Sequence, residues 1–499
     1  MAERRCHIKL IELIRALDVF DAVGGMEIEI TGLECHSGLV ERGAVFVAIP
    51  GFKRDGVEFA AEAVARGAVA VVAERPNVTG LSCVWVTTPD ARKALSDLAA
   101  KFYGYPGKQL KVLGVTGTNG KTTSAFLLRR ILQERGKRVG LISSILYDTC
   151  GDSFPAERTT PESLDIQRLL FLMRANGCNN VVMEVSSHAL ALKRVDNVEF
   201  RVGLFTNLTR DHLDFHGDMK AYLAAKAILL EKLDGLTKYA VINLDEPYFR
   251  ELFGCLKSAY LTFSLANPTA DVFTTGYDLR FDGTYFDLVT PLGSQTVRMK
   301  LCGRFNLMNA LGAIAGGLAS GVDLDAVVAG VEAMDPVPGR FQRVDCGQKF
   351  AVVIDYAHTP DAIARVIETA RGLTDGKIYA VFGCRGDRDR GKRPLMGAAA
   401  TENADFAIVT TDNPRSEEPL AIIDEIKPGL TAGKYQIQPD RRLAIREVFR
   451  RAQAGDVALL LGKGAEEYEE VAGVKKHYSE IDEAHSALHE MGYDATVTR

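Results

Sequence analysis

Short apolar runs recur along the chain, and most of them end in a turn rich in glycine or charge. A brief continuous run of this kind predicts a strand buried on both faces, and helical spacing between runs predicts crossover helices. Residues 1–107 carry such runs at Ala44–Ile49, Ala68–Ala73 and Val84–Val86, with helical spacing over Pro89–Phe102. Tyr105-Pro106-Gly107 breaks the pattern and predicts a boundary. Residues 108–336 read as strand Val112–Val115, helix Thr122–Arg135, strand Val139–Ile142, then buried strands Val181–Val185 and Val202–Thr206. Over 272–300 apolar and polar residues alternate, as in an antiparallel meander. Asp335-Pro336-Val337-Pro338-Gly339 is a linker, and residues 337–499 resume with strands Ala351–Ile354, Ile378–Phe382, Phe406–Thr410 and Val457–Leu461. The expectation is an α/β protein of three domains, 1–107, 108–336 and 337–499, built on mainly parallel sheets that bind ligands at the carboxyl ends of their strands.

Composition narrows the class. At 499 residues and 47% hydrophobic, each domain can bury a core of its own. A net charge of −5 argues against nonspecific binding to nucleic acid or acidic membranes. Nine scattered cysteines with no C-x-x-C pair fit free thiols in a reducing compartment. Met1–Val19 mixes charge and apolar residues at helical spacing, without the continuous apolar stretch of a signal peptide, and no run reaches membrane-span length. A cytoplasmic protein is expected.

Chemistry enters at Gly114-Val115-Thr116-Gly117-Thr118-Asn119-Gly120-Lys121-Thr122-Thr123, between a strand and a helix. That context suits a phosphate loop, with amides and a helix N-terminus around phosphate, Lys121 on the β and γ phosphates, and Thr122 offering a hydroxyl to Mg²⁺. The pattern is the shorter G-x-x-G-K-T, and a glycine-rich turn with a chance lysine is the bland alternative. A phosphate loop alone does not separate kinase, ATPase, GTPase and ligase. Elsewhere the residues leave alternatives open. Glu184 closes a buried strand as either a Mg²⁺ ligand or a solvated carboxylate. His212 lies among acids that could simply pair with it, and Lys226 reads as an exposed lysine. Asn309 reads as a polar group at a helix start, and Arg340 and His358 as salt-bridge or capping groups. Asp412-Asn413-Pro414-Arg415 is either an ordinary turn or a carboxylate site with a bidentate arginine, and Arg388 ends another strand.

The phosphate loop is followed in order by Thr159-Thr160-Pro161, Glu184-Val185-Ser186-Ser187-His188, Asn207-Leu208-Thr209-Arg210-Asp211-His212-Leu213-Asp214 and Lys226. Then come Gly303-Arg304-Phe305-Asn306 with Asn309, Gly339-Arg340-Phe341, Asp355-Tyr356-Ala357-His358-Thr359-Pro360, Gly386-Asp387-Arg388-Asp389, Asp412–Arg415 and Gly462-Lys463-Gly464. This series resembles the Mur ligase family over essentially the whole chain. The resemblance implies a UDP-sugar domain, a central ATP domain and a C-terminal Rossmann-like amino-acid domain. It implies an ADP-forming ligase of peptidoglycan precursor synthesis that joins UDP-N-acetylmuramoyl-L-alanyl-D-glutamate to a diamino acid through an acyl phosphate, with ATP and Mg²⁺.

By the same resemblance, Lys121, Glu184, His212, Lys226 and His358 are catalytic, and Thr122, Glu184 and a carbamylated Lys226 hold the metal. Gly117, Thr118, Asn119, Gly120, Thr123, Asn309 and Arg340 join Lys121 and Thr122 on the nucleotide. Ser37, Thr159, Thr160, Ser186 and Arg194 face the UDP-dipeptide. Arg388, Asp412, Asn413, Pro414, Arg415, Gly462 and Glu466 face the amino acid, with Glu466 on a distal ammonium. The arginine closing Asp412–Arg415 resembles members that add meso-diaminopimelate; lysine-adding members usually differ there. A monomer is expected.

The chain departs from the family pattern at Ala465, where histidine is usual, at Arg158 in place of asparagine and at Leu192 in place of glutamine. His36-Ser37-Gly38 stands where Asp-Ser-Arg is common. Three other readings therefore stay in view: a ligase using lysine or another carboxylate, a nucleotide-binding module that does not ligate, and a generic P-loop kinase.

Overall fold

The computed structural model describes residues 8–19, 21–52, 54–77, 80–134 and 136–493. The expected start of the chain at residues 1–7, with Cys6, and Arg135 at the end of the expected helix lie outside them. Two compact units form: residues up to 208 with 216–262 and 315–327, and residues 209–215, 263–314 and 328 onward.

The first unit contains two large sheets and a two-stranded pairing of 8–9 with 29–30. A five-stranded sheet runs in the order 21–23, 84–87, 70–73, 44–47, 32–34 and is parallel except at its first strand. The helix Ala91–Phe102 packs beside it, capped by the Asp90 carboxylate, which accepts from the Lys93 amide. The second sheet has eight strands in the order 153–155, 146–148, 139–142, 180–184, 111–116, 200–205, 234–243, 257–263. Strands 139–142, 180–184, 111–116, 200–205 and 234–243 are parallel neighbours, so their carboxyl ends lie along one edge. The side chains of 139–142, 180–184, 111–116 and 200–205 are almost wholly buried, as in a parallel sheet covered on both faces, whereas 234–243 is buried only over its last four residues. Close packing explains Gly114 in the central strand: a Cβ there would come within 2.9 Å of both Phe200 and Leu229.

In the second unit the alternating stretch forms its own three-stranded antiparallel sheet, 273–280, 283–290 and 293–299. A six-stranded sheet runs in the order 342–344, 351–355, 457–461, 378–382, 406–409, 435–437, with only the first strand antiparallel. The strand order reverses where 457–461 inserts between 351–355 and 378–382. The loops after these strands therefore open onto one crevice, the usual ligand position in such a sheet. The loops in question are 356–359, 383–391, 410–418 and 462–467.

The expected strands agree with the observed ones to within two residues at each end. The pattern did not reveal the antiparallel hairpins 146–148/153–155 and 468–471/474–477, which are short and largely solvent-facing. All eight cysteines among the described residues are free, and no helix among them is long and apolar enough to cross a membrane.

The Arg441–Glu480 ion pair is buried inside the second unit. Arg441, at the start of helix Arg441–Arg451, donates to both carboxylate oxygens of Glu480 and to the Leu461 carbonyl, with side-chain exposures of 2% and 0% for the pair. Arg441→Ala is expected to leave Glu480 buried without its partner, at a cost of ~3–5 kcal/mol. At that size of unit, thermal unfolding should fall by roughly 10 °C. The double change Arg441→Leu/Glu480→Leu should recover most of it, and a single variant as stable as the parent would remove the pair from the stability of this unit.

Candidate active site

The phosphate loop closes the central strand 111–116 and opens the helix Lys121–Gln133. Gly117 has φ +147°, and a Cβ on it would overlap the Thr206 hydroxyl, so only glycine fits. The loop is held from the neighbouring strand end. Asn207 accepts from the Asn119 amide (2.9 Å) and donates to the Asn119 carbonyl (3.0 Å), and Thr206 Oγ1 donates to the same carbonyl (2.7 Å). Lys121 Nζ curls back onto the Gly117 and Thr118 carbonyls at 2.9 and 2.8 Å, poised over the loop.

Three strand ends then meet. Thr122 Oγ1 lies 3.1 Å from Glu184 Oε2 and 2.9 Å from Ser144 Oγ, and the Ser144 amide donates to Glu184 Oε1 at 2.7 Å. Glu184 is 1% exposed, so it is not the solvated strand-end group that the sequence left open. Lys226, in helix Met219–Glu231, is also 1% exposed and not a surface lysine. Its Nζ donates to the Gly117 carbonyl at 2.7 Å and lies 4.6 Å above the Tyr222 ring, whose hydroxyl is 3.2 Å from Thr118 Oγ1. The structure thus brings Lys121, Thr122, Glu184 and Lys226 to one loop.

On the same sheet edge Thr160 Oγ1 donates to the Glu184 carbonyl and accepts from the Ser186 amide, tying two expected substrate residues to the metal candidate. Thr159 is half-buried beside it. Ser186 caps the short helix Ser187–Ala191. Arg194 donates to the Thr160 carbonyl and pairs with Glu162 at 2.7 Å, and Arg158 pairs with the same Glu162 at 2.7 Å. Ser37 is 7% exposed, and its hydroxyl donates to Glu62.

His212, Asn309, Arg340 and His358 belong to the second unit. His212 pairs with Asp211 at 3.2 Å, and Lys392 donates to Asp211 at 2.8 Å. Burial alone would raise the Asp211 pKa, but these two groups outweigh it and hold it at about 2. Asn309 sits buried in the second turn of helix Arg304–Ala319, not at the helix start, and its amide faces Asn306. The Arg340 guanidinium stacks 4.5 Å from the Tyr356 ring centre, with the His358 ring on the same tyrosine at 4.8 Å. Desolvation, with Arg385 nearby, lowers the His358 pKa, so the ring is neutral at pH 7.

The crevice of the six-stranded sheet holds a dense polar cluster. Asp412 and Asn413 are fully buried. Asn413 Oδ1 accepts from Lys463 (2.7 Å) and from the Glu470 amide (3.0 Å), while its Nδ2 donates to Glu466 (2.9 Å). Gly462 has φ +110°, and a Cβ there would come within 2.7 Å of Asp412 Oδ2. Pro414 carries the chain to Arg415, at φ +56°, whose amide and carbonyl bond the 468–471/474–477 hairpin. Arg415 Nε has no hydrogen-bond partner, and the nearest carboxylate oxygen, on Glu470, is 3.7 Å away. Arg388 is exposed and donates to the Asp387 carbonyl. Arg388, Asp412, Asn413, Pro414, Arg415, Gly462 and Glu466 all lie in loops at this one edge.

Three residues of these sites escaped the sequence: Ser144, Tyr222 and Arg385. Ser144 follows a strand with no motif around it. Tyr222 lies one helical turn before Lys226, a spacing that could have flagged it. Arg385 precedes Gly386 in a loop already loaded with charge.

The arrangement can cradle a nucleotide's phosphates at one edge and hold a carboxylate-bearing molecule at another. Comparison with known proteins is in keeping with this. Residues 29–103 match the model described as "Mur ligase family, catalytic domain", 115–317 the "Mur ligase middle domain", and 339–464 the "Mur ligase, glutamate ligase domain". A UDP-N-acetylmuramoyl-L-alanyl-D-glutamate–2,6-diaminopimelate ligase of Syntrophomonas wolfei is 44% identical over 93% of this chain and 95% of its own. One of the same name from Geobacillus kaustophilus is 42% identical over 97% and 100%. A solved structure of a ligase of that name superimposes with a TM-score of 0.69 at 32% identity, covering 97% of this chain and 99% of its own. Identity of this order over nearly the full length, with three domain matches in sequence order, places the chain in the Mur ligase family, to which it belongs.

Proposed function

We propose that the chain is an ADP-forming ligase that joins the D-glutamate carboxylate of UDP-N-acetylmuramoyl-L-alanyl-D-glutamate to an amine of meso-diaminopimelate, a step of peptidoglycan precursor synthesis. The observation that carries the reading is the presence in one chain of a phosphate loop backed by buried Thr122, Glu184 and Lys226, and of an arginine-bearing crevice at Asp412–Arg415. We assign residues 1–107 to the UDP-sugar, 108–336 to ATP and 337–499 to the amino acid.

A carboxylate is a poor acyl donor until one oxygen becomes a leaving group. Attack of that carboxylate on the γ-phosphorus of ATP forms an acyl phosphate and releases ADP. The amine then attacks the acyl carbon, phosphate leaves and the amine loses a proton. Charge builds on phosphoryl oxygens in the first step, where Lys121 and the amides of Gly117–Thr123 oppose it. The second step needs the amine unprotonated and held against the acyl carbon, which is a matter of orientation. Arg415 and Arg388 are suited to hold the amino acid's carboxylates. His358, neutral at pH 7, and His212, paired to Asp211, are the remaining candidates for charge and proton handling.

The donor set near Thr122 fits Mg²⁺. A hydroxyl and a buried carboxylate oxygen lie 3.1 Å apart, both hard oxygen donors. Thr122, Glu184 and a carbamylated Lys226 would hold the ion, and it would neutralise phosphate charge. Carbamylation would replace the donor that Lys226 now points at the Gly117 carbonyl with two acceptor oxygens.

A second reading, the same reaction on another carboxylate, is favoured by Leu192. It is half-buried beside Arg194 and has no hydrogen-bonding group where the family commonly has glutamine.

Phosphate release from ATP and Mg²⁺ is the direct test. It should require both the UDP-dipeptide and meso-diaminopimelate; release without the dipeptide, or only with another carboxylate, would replace this reading with the second. Lys121→Ala should lower kcat by ~10²–10³ or more, the size of losing one preorganised charge-stabilising donor. Near-normal turnover would remove the phosphate-loop assignment. Arg415→Ala should raise the apparent KM for diaminopimelate ~10–100-fold, the range for a charged hydrogen bond, with the KM for ATP little changed. Equal shifts in both would take Arg415 out of the amino-acid site.

A further inference from the structure

We infer that Arg385 sets the amino-acid selectivity of the second unit's crevice. By neutralising Glu466, it makes the site read the two carboxylates of the incoming amino acid and not its distal ammonium. The inference rests on the ligase reading and deepens it.

Glu466 is the group the sequence assigns to a distal ammonium, but the structure finds it already engaged. Arg385 Nη1 forms an ion pair with Glu466 Oε1 at 2.9 Å, the Tyr356 hydroxyl donates to the same oxygen at 3.2 Å, and Asn413 Nδ2 donates to Oε2 at 2.9 Å. A carboxylate offers about four acceptor directions. Three are taken here, one of them by a full positive charge whose side chain is 11% exposed. Arg385 is itself locked in place, since Nη1 also donates to the Tyr356 hydroxyl at 3.0 Å, Nη2 donates to the Gly462 carbonyl at 2.8 Å, and the guanidinium stacks 4.8 Å from the Tyr356 ring centre.

Behind this pair lies Asp412, with neither oxygen hydrogen-bonded. It is approached by Arg385 Nε at 3.5 Å and Lys463 Nζ at 3.9 Å. Two buried anions thus face two cations, and the cluster presents no net negative charge. An ammonium entering it would lose its hydration and meet the Arg385 charge beside carboxylates that Arg385 and Lys463 already answer, so its desolvation is poorly compensated.

The opposite holds for carboxylates. Arg415 Nε is buried without a hydrogen-bond partner, its ion-pair partner Glu470 standing off at 3.7 Å, and Arg388 is exposed with a single bond to a backbone carbonyl among the described residues. The two guanidiniums repel each other, which desolvation and Arg415 register as a lowered Arg388 pKa. A dianionic amino acid would relieve that repulsion and fill both forks.

The test removes one group at a time from the amino acid. 2-Aminopimelate is diaminopimelate without the distal amine, and L-lysine is diaminopimelate without the distal carboxylate. With the unaltered protein and the UDP-dipeptide, kcat/KM for 2-aminopimelate should fall within ~10-fold of that for meso-diaminopimelate, and that for lysine at least ~100-fold below, the scale of losing one or two charged hydrogen bonds. A 2-aminopimelate value ~100-fold below diaminopimelate would overturn the inference. Arg385→Gln keeps amide donors but removes the charge, so the diaminopimelate to 2-aminopimelate ratio should rise ~10-fold. Thermal unfolding would establish that this variant is folded, and an unchanged ratio in folded protein would also overturn the inference. Turnover with diaminopimelate leaves the ligase reading standing whichever way the ratio falls; turnover with none of the three amino acids sinks the reading and this inference together.

Discussion

A carboxylate buried at the end of a parallel strand is tolerable only if its surroundings answer it, and both candidate sites are built around such a group. Glu184 is answered by hydroxyls and an amide from two neighbouring strand ends. Asp412 is answered by charges, not hydrogen bonds: burial would raise its pKa, but Arg385, Lys463 and Arg441 outweigh that and hold it below the ordinary value. For Glu184, the last residue of its strand, the strands must end in register, because a one-residue slip would turn the carboxylate to the other face of the sheet, whereas Asp412 is placed by the loop that follows strand 406–409. The sheet architecture and the chemistry are therefore one constraint. The doubly covered parallel sheet supplies the low-dielectric setting, and the strand ends supply the groups that make a buried charge affordable.

That coupling also decides what could be read from the sequence. Strands such as Ile378–Phe382 and Val457–Leu461 were legible because a strand covered on both faces must be apolar throughout. The phosphate loop was legible because its glycines, lysine and threonines are contiguous. Glu184 and Lys226 were legible only through family resemblance, since a strand-end glutamate and a helical lysine are common on surfaces, and burial is what distinguishes them here. Least legible was the Arg385–Glu466 contact. Its partners lie in loops after different strands, brought together by the insertion of 457–461 between 351–355 and 378–382. No local pattern encodes that insertion. The hairpin 468–471/474–477 escaped for a different reason: its residues are half-exposed and charged, so hydrophobic periodicity is silent there.

Arg158, one of the positions that depart from the family pattern, joins a cluster of charges. Arg158 and Arg194 both pair with Glu162, so one carboxylate is shared by two guanidiniums beside the expected UDP-dipeptide residues Thr160 and Ser186. Arg194 is largely desolvated, which lowers its pKa, and Arg158 lowers it further. Two guanidiniums there suit a dipeptide that carries carboxylates, with Glu157 and Asp165 close enough to balance their charge.

The same logic separates binding from chemistry in the second unit. A pocket that recognises its amino acid by carboxylates leaves the amines without a direct ionic partner. An amine held by a carboxylate is stabilised as ammonium and is a poor nucleophile. One whose molecule is anchored elsewhere gives up its proton more readily. On that inference, engaging Glu466 through Arg385 would do more than alter selectivity. It would keep a strong anion from holding the attacking amine in its protonated form, at the modest cost of surrendering one recognition contact, in a reaction whose second step depends on a free lone pair.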